Sequence, residues 1–67
     1  MPNIEMLRTK IDDSGMSVVA ISEKAGMLRE TLYNRLKGKG EFTASEIVNL
    51  SRVLNLTKPE RDQIFLQ

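Results

Sequence analysis

Apolar residues along this chain recur at helical spacing, in five runs separated by short polar or glycine-containing breaks. Ile4, Leu7 and Ile11 share one face of a segment that follows Asn3, a good N-cap residue, and stops at Ser14-Gly15. Ser17 is placed to cap a second helix, with Met16 and Ile21 spaced as a hydrophobic staple and Gly26 ending it after Ala25. A third helix is expected over about 28–37, before Gly38-Lys39-Gly40. Thr43-Ala44-Ser45-Glu46 reads as a capping box opening a fourth helix, whose Ile47, Leu50 and Leu54 keep the period. Thr57-Lys58-Pro59-Glu60 is a second such box, with proline in the first turn where its missing N–H does no harm, and the last helix ends near Phe65. No strand-like alternation competes. The pattern predicts a single all-α domain of five helices.

The third segment has two opposed faces. At about 100° per residue, Leu28, Leu32 and Leu36 fall in a stripe roughly 80° wide, whereas Glu30, Tyr33, Asn34 and Lys37 point the other way. Such a helix is held by a core on one side and presents hydrogen-bonding groups on the other. Reading base edges in a DNA major groove requires that arrangement.

Composition narrows the function. The chain has 67 residues, 40% hydrophobic and 28% charged, which suits one globular domain rather than a disordered one. A chain this short buries only about 60% of its unfolded surface, so it needs close helix packing or self-association. It has no cysteine and no histidine, so disulfides, thiolate zinc sites and the usual general base are all excluded. Asp12-Asp13 is a poor catalytic pair, because adjacent helical residues do not face each other. No phosphate-binding loop, nucleophile elbow or metal-ligand pattern occurs, so neither an enzyme nor a cofactor is expected. The charged start MPNIEMLRTK lacks a signal-peptide core, and the longest aliphatic run is Val18 to Ile21. A soluble cytoplasmic protein is the expectation.

The net charge of +1 hides an uneven distribution. Residues 1–23 carry −2 and residues 41–67 carry −1, whereas residues 24–40 carry +4 through Lys24, Arg29, Arg35, Lys37 and Lys39 against Glu30. A local basic patch is the footprint of phosphate binding, and equally of an ordinary solvated face.

The stretch 17–38 resembles the helix-turn-helix of the phage Cro and cI repressor family, also called the Xre family. The resemblance rests on apolar Ile21, Ala25, Met27 and Leu32, small Ser22 and the turn glycine Gly26. Ser22 is small where the third helix crosses above it, and Gly26 lets the chain reverse within a few residues. Helix order and loop lengths fit across the whole chain. The resemblance implies a lambda-repressor-like five-helix domain over residues 1–67, of the kind found in short phage or prophage Cro-like regulators. Three positions depart from the family pattern. Val18 replaces a phosphate-clamping glutamine, Leu28 replaces a serine or threonine, and Arg35 replaces an apolar residue, whose role falls on Leu36.

Carried over by position, the base-reading residues are Arg29, Glu30, Tyr33 and Asn34. Their chemistry agrees, since arginine suits guanine, asparagine suits adenine and a carboxylate accepts from cytosine. Each also has a plainer role. Arg29 can pair with Glu30 or Glu23, Glu30 can complement the helix dipole, and Tyr33 can lie on the flank of the core. Asn34 has the weakest alternative, because asparagine is a poor mid-helix residue. Phosphate contacts are expected from Ser17, the Val18 backbone amide, Lys37, Lys39 and Arg35, the last of which either faces DNA or packs sideways. Ile64, Phe65 and Leu66 crowd the chain end, where they either offer an interface or leave Phe65 capping its own core with Leu66 frayed, and the resemblance implies a weak symmetric homodimer on a palindromic double-stranded operator. The implied function is that of a repressor without a small-molecule effector. The alternative of another class is an antitoxin-like or anti-repressor protein-interaction module on the same scaffold.

Overall fold

Five α-helices, with no strand among the described residues, make up the computed structural model, which describes residues 1–66. They are α1 (Ile4–Ser14), α2 (Val18–Lys24), α3 (Arg29–Leu36), α4 (Ala44–Val53) and α5 (Lys58–Phe65). Four of the five begin on a side-chain cap. Asn3 Oδ1 accepts from the Met6 N–H at 3.0 Å, and Ser17 Oγ from the Ala20 N–H at 3.0 Å. Thr43 and Thr57 accept from the Glu46 and Glu60 amides, and those glutamates return the bond to the threonine N–H groups at 3.0 and 2.8 Å. Both capping boxes are therefore complete. Each cap is worth about 1 kcal/mol.

The turn between α2 and α3 is a Schellman motif. The Met27 N–H bonds to the Ser22 carbonyl at 2.9 Å and the Gly26 N–H to the Glu23 carbonyl at 3.2 Å. Gly26 sits at φ +69° with open space where a Cβ would stand, so backbone conformation rather than crowding calls for glycine. Asn55 makes the same left-handed turn after α4, at φ 53°.

Packing runs α2 on α3 and α4, and α5 on α1 and α4. Each helix sends one side chain of zero exposure into a common cluster: Leu7, Ile21, Leu32, Leu50 and Ile64. Truncating any of these to alanine costs about 2–5 kcal/mol, several times the worth of one cap. Ser22 is buried beside them, with its hydroxyl bonded to the Val19 carbonyl at 2.8 Å.

Two expectations are corrected by this packing. Leu28 does not join the stripe of Leu32 and Leu36: it is 75% exposed. It occupies the N-cap of α3 with an extended backbone (φ −68°, ψ 138°), so the helical phase does not reach it. Met27 packs against the core instead. At the other end, Ile64 and Phe65 are buried in the protein's own core rather than displayed at its surface, which leaves Leu66 as the one exposed member of that trio. The Asn3 N–H bonds to the Ile64 carbonyl at 2.7 Å, and the Phe65 ring meets Phe42 edge-on at 5.1 Å.

The α1–α5 contact carries an ion pair between Lys10 and Glu60. The Lys10 ammonium, and after it the Thr57 amide, lowers the Glu60 carboxyl from 4.5 to about 2. A carboxylate favoured in the folded state adds stability above its unfolded value, and that stability is lost as pH falls. Lys10→Met is therefore expected to flatten the acid limb of stability between pH 4.5 and about 2, without abolishing the part due to Thr57. Urea denaturation at stepped pH measures this, and an unchanged acid limb would remove the ion pair from the account.

Candidate nucleic-acid interface

Leu32 and Leu36 are both buried, and together they fix the rotation of α3 about its axis. The opposite side is thereby turned to solvent. Arg29 and Glu30 are exposed in the first turn, Tyr33 is 44% exposed and Asn34 is half-buried. Among the described residues none of these four side chains makes a hydrogen bond or an ion pair. Arg29 is thus not spent on Glu30 or Glu23. A carboxylate, a phenol and an amide stand on the side away from the buried leucines, with the Arg29 guanidinium exposed beside them in the first turn, and all four have their bonding capacity unused.

The cations around this face divide into two kinds. Lys37 and Lys39 are exposed just past the end of α3, and neither ammonium has an ion-pair partner among the described residues. Arg35 is different, because of the two orientations open to it the fold takes the sideways one. Its Nε donates to Glu46 Oε1 at 3.3 Å and its Nη1 to the Lys39 carbonyl at 3.3 Å. The side chains of Arg35 and Glu46 are only 18% and 14% exposed. Arg35 therefore ties the end of α3 to the start of α4 and holds the connecting loop. The guanidinium also takes the space where a Cβ on Gly40 would lie, at a residue whose φ is +76°. Arg8 adds a second tie, donating from Nη2 to the Leu36 carbonyl at 3.0 Å and so satisfying a terminal acceptor of α3.

At the start of α2, Ser17 is exposed but its hydroxyl oxygen already caps Ala20. The Val18 side chain packs on the core, so only its backbone amide is available to an anion. Among the described residues no group of three or more His, Cys, Asp or Glu residues could hold a metal ion. No helix there is long and apolar enough to cross a membrane.

Sequence reasoning missed the Arg35 clamp and the exposure of Leu28. The second had a visible signal, since leucine stands where a serine, threonine, aspartate or asparagine would cap. The tie to Glu46 had none, because that partner is 11 residues away on a different helix. Comparison with protein-family models, with curated proteins and with solved structures gave no match.

The clamp separates two arginine and lysine roles by experiment. Arg35→Ala leaves the Lys39 carbonyl without its donor and is expected to cost about 1–2 kcal/mol in thermal or urea denaturation. Lys37→Ala is expected to stay within about 0.5 kcal/mol, as a surface substitution does. Equal effects of the two would show that Arg35 is a solvated cation like the lysine.

Proposed function

We propose that this chain is a sequence-specific DNA-binding transcriptional regulator, a Cro-like repressor that lays α3 in the major groove of an operator. The observation that carries the reading is the outer surface of α3, where the side chains of Glu30, Tyr33 and Asn34, turned away from buried Leu32 and Leu36, and of Arg29 in the exposed first turn bond to nothing within the described residues. Base edges in the major groove offer the matching donors and acceptors. Lys37 and Lys39 flank that face and supply phosphate contacts, which set affinity and register rather than sequence preference. The five-helix order with a glycine turn between α2 and α3 supports a lambda-repressor-like helix-turn-helix domain.

Repression in this reading is occupancy: a protein seated on its operator excludes polymerase, with no small-molecule effector. Two copies on a palindrome place their α3 helices about 34 Å apart, one turn of DNA. Each copy measures 25 × 24 × 20 Å and so fits one turn without overlap. Because Ile64 and Phe65 are internal, association between copies is weak and DNA supplies most of it, with Leu66 the remaining apolar contact at the chain end.

Selection from randomised duplexes, followed by titration at several salt concentrations, tests the reading. A palindromic consensus is expected, with two protein chains per duplex; the absence of any preferred sequence overturns it. Asn34→Ala is expected to cost about 1–3 kcal/mol on the preferred site and little on random DNA. Lys37→Ala and Lys39→Ala should each weaken binding to all duplexes and flatten the slope of log K against log[salt] by about one.

A further inference from the structure

We propose that Leu28 is a specificity-determining residue that reads a thymine methyl group in the major groove. The inference rests on the DNA-binding reading above and adds a base contact from a side chain that the helical pattern assigns to the core.

Three observations place it there. Leu28 is a large aliphatic side chain left 75% exposed. It stands directly before Arg29 and Glu30, at the end of α3 that carries the exposed first turn. It also occupies a position where a different residue would serve the fold better. Of the five helices described, α3 alone begins without a side-chain cap; Asn3, Ser17, Thr43 and Thr57 cap the other four. The backbone at Leu28 already has the extended conformation a capping serine adopts, with φ −68° and ψ 138° against −74° and 161° at Ser17. A serine would therefore bond where leucine does not. The side chain neither packs nor caps.

Its surroundings decide what it meets. Arg29 and Glu30 follow it, both exposed, and Met27 before it turns inward to the core. A lone aliphatic group beside a guanidinium and a carboxylate is a poor seat for an apolar protein partner. It suits a surface that offers one methyl among polar edges. Thymine alone of the four bases presents a methyl group in the major groove. Removing one methyl from such a contact corresponds to about a fourfold change in affinity.

The test compares wild-type protein with Leu28→Ser on the selected duplex and on duplexes in which each thymine in turn is replaced by deoxyuridine, which deletes only the methyl. One thymine per half-site is expected at which deoxyuridine weakens the wild type about fourfold, while Leu28→Ser binds the two duplexes equally. The melting temperature of free Leu28→Ser is expected to equal or exceed that of the wild type, because α3 gains a cap. Deoxyuridine having no effect at any position overturns the proposal. So does an equal loss in both proteins, which assigns the methyl to another residue, and so does a lowered melting temperature of Leu28→Ser, which makes Leu28 structural. If selection yields no preferred duplex, the DNA-binding reading itself falls and this contact with it.

Discussion

Five helices of seven to eleven residues, none long enough to persist alone in water, have to stabilise one another at a single point. That constraint governs the protein. The cluster of Leu7, Ile21, Leu32, Leu50 and Ile64 satisfies it with one fully covered side chain from each helix. No helix can shift its register or rotation without uncovering its own member. The orientation of α3 is accordingly set from inside, by Leu32 and Leu36, before any group on its outer face is considered.

Local chemistry then fixes where each helix starts and stops. Caps at Asn3, Ser17, Thr43 and Thr57 define four starts, and left-handed residues open the connections that follow α1 to α4. Glu46 serves two roles at once. Its Oε1 closes the capping box on the Thr43 amide and also receives Arg35, so the start of α4 and the end of α3 share one carboxylate oxygen. The loop carrying Lys37 and Lys39 is thus anchored at both ends, while their ammonium groups stay in solvent.

What could be read from the sequence followed this division between local and distant causes. The helix limits were legible because capping boxes and glycine turns act over three to six residues. The core face of α3 was legible at Leu32 and Leu36 but not at Leu28, since an N-cap residue does not follow the helical period. The fate of Ile64 and Phe65 was not legible. It depends on Asn3 and Phe42, which no spacing rule links to the chain's last helix. Arg35 failed for the same reason, its partner being on α4. The candidate surface at Glu30, Tyr33 and Asn34 was legible as an outward face, because its position follows from the buried stripe behind it.

The outward residues of α3 share no side-chain bond with the rest of the described fold, whereas Leu32 and Leu36 make up its inner support. Substitutions at Glu30, Tyr33 or Asn34 are therefore expected to change the chemistry of the outer face at small cost, within about 0.5 kcal/mol each, whereas those at Leu32 or Leu36 cost several times more. A lineage descended from this chain can thus vary its outer lettering freely while the inner text stays fixed.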